Sequence, residues 1–159
     1  MKTRIGVVGI LWVLAGFWSA SAAITKLPTE CRNALQEASH FRAVNAVTNL
    51  PPAVLALCAD ADGRLAEPGQ AWQATDVIYS DKLPGKRLIW AATDGEYWVV
   101  HYERGGRGHS YHIAVVQLRH GDAKPSFVWR AVGERLKDFR AFLAAVGNNK
   151  LDDTLHYAH

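Results

Sequence analysis

Four consecutive stretches between residues 87 and 132 carry dense aromatic and β-branched side chains. They are "RLIWAAT" (87–93), "EYWVVHYE" (96–103), "HSYHIAVVQL" (109–118) and "SFVWRAV" (126–132). Runs of this length and type, bounded by Gly, Asp and Pro, read as β-strands. Asp94-Gly95 between the first two is a strong two-residue hairpin signal. "RGGRG" (104–108) and "RHGDAKP" (119–125) separate the others. Connections this short join antiparallel neighbours, because a parallel return needs a crossover of a dozen or more residues. The spacing therefore predicts an antiparallel β-meander. "WQATDVIYS" (72–80) offers a further strand, so four or five are expected.

Helices flank the meander. In "ERLKDFRAFLAAV" (134–146), Leu136, Phe139, Phe142, Leu143 and Val146 form one apolar face, and Gly147 stands at the C-terminal cap position. Near the other end, Cys31, Ala34, Leu35, Ala38 and Phe41 recur at steps of three and four after Thr29, a helical stripe. Pro51 and Pro52 open a second short helix that buries Val54, Leu55 and Cys58. The expected fold is α+β: an N-terminal helical hairpin, the meander, and a C-terminal helix packed on the sheet. Residues 59–86 between hairpin and meander are turn-rich. Asp60, Asp62 and Gly63 lack the spacing of a calcium loop and read as a solvated turn.

The first 23 residues have the pattern of a secretory signal. Lys2 and Arg4 precede the apolar run "IGVVGILWVLAGFW" (5–18), which ends in "SASAA" (19–23). A short basic start, an apolar segment and an A-x-A-like site mark a cleaved export segment. Fourteen apolar residues also fall short of the roughly 20 that a spanning helix needs, so no stable membrane span is expected after cleavage. Residues 24–159 then form a single domain of periplasmic or secreted location. Loss of Lys2 and Arg4 lowers the formal charge from +3 to +1. No Lys/Arg-rich run remains, which argues against nucleic acid as a partner.

Cys31 and Cys58 are the two cysteines of the chain. In an oxidising compartment such a pair is read as a disulfide. Trp72, Trp90, Trp98 and Trp129 are the bulkiest core candidates.

The hairpin "VVHYERGGRGHSYHI" (99–113) concentrates the residues with chemistry. With Gly106-Arg107 at the centre of the turn, Tyr102 faces Tyr111, Val100 faces Ile113 and Trp98 faces Val115. His101 then faces His112, and Glu103 faces Ser110, on the other side of the sheet. This arrangement predicts a polar recognition surface made of His101, Glu103, Arg104, Arg107, His109, Ser110 and His112. A second reading is a zinc site of His101, His112 and Glu103. No complete catalytic set is present: Ser110 lacks the G-x-S-x-G context of a strained nucleophile. "RGGRGH" lacks the P-loop and dinucleotide fingerprints, so no cofactor is expected. The function that follows is an exported, non-enzymatic binding protein whose partner is another protein of the envelope or periplasm. Small inhibitors and immunity proteins directed at cell-wall-degrading enzymes have this size and design. The alternative is a small metal-dependent hydrolase using the histidine pair.

Overall fold

The computed structural model describes residues 26–154 except 78, 79 and 123. The expected export segment (1–23), Leu155, Tyr157 and part of the expected strand 72–80 lie outside the described residues. The elements in chain order are α1 (Thr29–Gln36), β1 (Arg42–Val44), α2 (Pro52–Cys58), β2 (Lys86–Thr93), β3 (Tyr97–Arg104), β4 (Ser110–Gln117), β5 (Ser126–Gly133) and α3 (Phe139–Gly147). The strands form one antiparallel sheet in the order β1-β2-β3-β4-β5. The four strands of the meander fall where the residue pattern places them. The fifth is β1, a three-residue piece just after the helical stripe that ends at Phe41.

Both faces of the sheet are covered. On the first face, Trp90, Val99, Ile113, Val115 and Ala131 pack with Cys31 and Leu35 of α1 and Phe142 and Val146 of α3. On the second, Leu88, Val100, Tyr102, Ala114 and Val116 pack with Val54 and Cys58 of α2. A sheet buried on both sides has apolar residues at successive positions, as in Val99-Val100 and Val115-Val116, all fully buried. Trp90, Trp98 and Trp129 are buried; Trp72 is only half-buried.

Three sequence expectations are corrected. The N-terminal helices do not pack on each other as a hairpin, because β1 comes between them and they end up on opposite faces of the sheet. Cys31 and Cys58 follow their helices, with the sheet between them, and are two buried free thiols rather than a disulfide. Burial pushes both thiols up to about 12, which makes them poor nucleophiles. An alkylating reagent should label neither cysteine in the folded protein and both after unfolding. A mass gain of two protons on reduction would contradict this. The third correction concerns residues 72–77, which form no strand: the Gln73 side chain donates to the carbonyls of Thr75 and Val77, so local bonds replace a ladder.

α3 packs on the first face as expected but starts five residues after the beginning of the expected stretch 134–146. Asp138 is the N-cap, and its carboxylate accepts the Ala141 N–H at 2.8 Å. Leu136 stays buried in the preceding loop. The chain reverses at Asn149 (φ 51°) rather than at Gly147. Leu151 then packs back onto the sheet, and Val132 and Asp152 bridge. Among the described residues no helix is long and apolar enough to cross a membrane.

Candidate functional site

The β3–β4 hairpin has a different register from the expected one. Arg104 pairs with Ser110, Glu103 with Tyr111, Tyr102 with His112 and His101 with Ile113. The loop is the five residues 105–109, not a two-residue turn. His101 and His112 therefore lie on opposite faces, and so do Glu103 and Ser110. The zinc set fails on this ground, since His101 and Glu103 share the first face while His112 is on the second. Among the described residues no group of three or more His, Cys, Asp or Glu side chains is placed to hold a metal. The physical reason for the slip is that both faces are buried, so alternation on each strand does not distinguish one register from its neighbour.

On the first face His101 is a core residue, 0% exposed. Its Nδ1–H donates to the His112 carbonyl at 2.9 Å, and its Nε2 accepts the Leu136 N–H at 3.0 Å. Those two bonds select the neutral Nδ1–H tautomer. Burial above all holds the imidazole down at about 4. Its role is to tie the β3–β4 ladder to the loop before α3, where Trp90 Nε1 also donates to the Leu136 carbonyl at 2.8 Å. Towards the hairpin tip, Glu103 is 3% exposed. Its carboxylate accepts from Arg87 Nε at 2.6 Å and from His109 Nε2 at 2.7 Å. Arg87 lies over the Trp72 ring, and that ring also touches His109. Both Glu103 oxygens are thus taken, and this group closes the tip rather than presenting it.

The second face is different. A cavity of about 560 Å³ lies between the end of α2, the strand ends and the hairpin tip. Lys86, Tyr102, Arg104, His112 and Arg130 line it, one residue or more from each of β2, β3, β4 and β5. Tyr102 and His112 are cross-strand partners with rings stacked 5.2 Å apart and 10° from parallel. Ser110 Oγ and His112 Nε2 are hydrogen-bonded at 2.8 Å. Burial first, then the Arg104, Lys86 and Arg130 cations, hold His112 down at about 4. Burial pushes the Tyr102 phenol up to about 12 and lowers the Lys86 ammonium. Lys86 Nζ donates to the Ala59 carbonyl at 2.6 Å, and Arg130 Nη2 to the Leu57 carbonyl at 3.2 Å. Both cations thereby meet the negative end of α2. Arg104 is exposed at the rim, directly across from Lys86.

The seven residues singled out from the sequence are therefore divided. Arg104, Ser110 and His112 belong to the cavity side. His101, Glu103 and His109 are on the first face, and Arg107 is at the exposed tip. Lys86, Tyr102 and Arg130 were missed, because they come from three strands and only tertiary pairing assembles them. Chemically, the cavity presents cations and polar donors to an anion. It is a poor place for nucleophilic catalysis, since an imidazole held near 4 is a weak base for the Ser110 hydroxyl. Comparison with protein-family models, curated proteins and solved structures finds no match. The functional reading rests on this geometry.

Proposed function

We propose that the protein is an exported, non-enzymatic binding protein and that its site is the cationic cavity, which receives an acidic group of its ligand. The observation that carries this reading is the convergence of Lys86, Arg104 and Arg130 on one cavity in which, among the described residues, Asp60 is the only acidic lining residue. Asp60 is committed elsewhere: its carboxylate accepts the backbone N–H groups of Asp62, Arg64 and Gly85 at 3.0, 2.8 and 3.0 Å. A concave site of this volume with a few convergent polar groups is of the size that small ligands occupy. Export is supported by the signal-like residues 1–23, and N-terminal sequencing of secreted or periplasmic material tests it. The same cations would accept an acidic side chain from a partner protein of the envelope or periplasm, as an inhibitor or immunity protein would require. The exposed Arg107 at the tip is available to such a partner.

Calorimetric titration of the purified protein with small carboxylates and phosphates tests the site. Arg104→Gln should weaken binding by roughly ten- to a hundredfold, the loss of one charge-assisted hydrogen bond. Thermal stability should hardly change, since exposed substitutions usually shift it by less than about 0.5 kcal/mol. If no anion binds, the reading is wrong.

A further inference from the structure

We propose that Lys86 is a covalent capture site, whose ε-amine forms a reversible imine with the carbonyl group of a small aldehyde in the cavity. This goes beyond anion binding and requires no charge on the ligand. The first argument is position. Among the described residues Lys86 is the one lysine that is not exposed; Lys26, Lys82, Lys124, Lys137 and Lys150 all face solvent. Lys86 is half-buried and lines the cavity of about 560 Å³. Its Nζ is held among other lining residues, 2.6 Å from the Ala59 carbonyl oxygen and 5.2 Å from the centroid of the Tyr102 ring. The amine thus meets a space that a small molecule can enter, not the closed core.

The second argument is the set of charges around it. The hydrogen bond of Lys86 goes to a neutral carbonyl, and among the described residues no carboxylate forms an ion pair with it. Asp60, in the same wall, turns its carboxylate to three backbone N–H groups. Arg104 stands directly across the ladder, a like charge beside the ammonium. His112 of β4, held down at about 4, adds no charge at neutral pH. Burial is the main cause that pulls the Lys86 ammonium below its ordinary value; Arg104 and Arg130 act in the same direction, and Cys58 and Asp60 against it. A partly desolvated lysine beside another cation is the arrangement that yields a nucleophilic amine near neutral pH.

The chemistry needs no further reactant. The ammonium gives one proton to solvent. A neutral amine keeps two N–H bonds, so it can still hold the Ala59 carbonyl while its lone pair is free to react. The lone pair adds to the carbonyl carbon, a C–N bond forms, and the former carbonyl oxygen takes a proton. The resulting carbinolamine loses that oxygen as water and becomes the imine, so amine and aldehyde give imine and water. Hydrolysis reverses the sequence and releases the ligand unchanged. Ammonium and amine are in equilibrium: the one meets an anion, the other a carbonyl carbon. The apolar part of the wall, with Leu57, Ile113, Val132 and the Tyr102 ring, leaves room for the body of the aldehyde.

The test is reductive trapping. The purified protein is incubated at neutral pH with benzaldehyde and sodium cyanoborohydride, which reduces the imine to a stable secondary amine, and the adducts are located by peptide mass spectrometry. Early in the reaction Lys86 should be labelled at least about tenfold faster than Lys26, Lys82, Lys124, Lys137 or Lys150. Arg104→Gln removes the like charge and leaves the amine in place. With that charge gone the ammonium is favoured, so labelling at Lys86 should slow by roughly two- to threefold at neutral pH, its rate profile should move to higher pH, and the exposed lysines should be unchanged. Labelling at Lys86 no faster than at the exposed lysines overturns the proposal and leaves Lys86 as the cation that holds the end of α2. An unchanged rate at Lys86 in Arg104→Gln overturns it too, because access alone would then account for the adduct. Benzaldehyde is uncharged, so these outcomes are separate from the anion titration: failure of every anion would overturn the anion site and leave imine capture standing.

Discussion

Replacing Gly105 with alanine should unfold much of the protein or cost more than the ~1–3 kcal/mol typical of an overpacked core. A Cβ at this position would lie 1.9 Å from the Gln73 carbonyl oxygen and under 3 Å from two backbone atoms of Ala74. Backbone cannot rotate away as a side-chain tip can. The approach is fastened on both sides, by Gly105 N–H to the Gly85 carbonyl at 3.1 Å and Gln73 N–H to the Pro84 carbonyl at 2.8 Å. The neighbouring glycines give an internal scale. Gly106 has φ 127° with open space around it, so alanine there should cost only the strain of that backbone, about 1–3 kcal/mol. Gly108 has neither feature, and its replacement should change stability by less than about 0.5 kcal/mol. Urea denaturation of the three variants should give the order Gly105, Gly106, Gly108. An equal loss at all three would show that the hairpin tip does not rest on residues 73–74.

His101→Phe is the second large effect. The ring volume is roughly kept, but the Leu136 N–H loses its partner in a buried place, and the His112 carbonyl, which is also in the β3–β4 ladder, loses its second donor. An unsatisfied buried group costs about 1–3 kcal/mol, and a loss of about that size is expected. The same residue shapes the acid limb of stability. His101 and His112 titrate near 6.5 when unfolded and are held down at about 4 in the folded protein. Between those values the unfolded chain binds more protons, so stability rises with pH there. It is fully present above about 6.5 and is lost as the pH falls towards 4. His101→Phe should be less stable at pH 7 yet show a shallower decline between pH 6.5 and 4. A decline as steep as in the parent protein would mean that His101 is not the buried neutral imidazole described.

Local pattern was enough for much of the architecture. Strands β2 to β5, the antiparallel order and the C-terminal helix follow from β-branched and aromatic runs broken at Asp94-Gly95, the "RGGRG" loop and "RHGDAKP", because short connections leave antiparallel pairing as the one available solution. The same signals located the stretch with chemistry, although not its arrangement. Register was decided elsewhere. A β-bulge between Leu88 and Trp90 sets Arg87 opposite the buried Glu103 and turns Lys86 to the cavity. Counted straight from the Asp94-Gly95 turn, Leu88 would face Glu103 and Arg87 would face Arg104. The bulge gives the buried carboxylate a cation, and a desolvated charge without a partner is too costly to keep. The five-residue β3–β4 loop likewise depends on the close approach of Gly105 to residues 73–74, which are more than thirty positions away in the chain. The fate of the cysteines was also a tertiary matter: one short strand between α1 and α2 sends the helices to opposite faces, and the sheet then separates two thiols that composition alone would join. Sequence periodicity carries the facing of a residue relative to its own element. Which strand stands opposite, and by how many residues it is shifted, depends on contacts between distant segments, and the cationic cavity is assembled from those contacts.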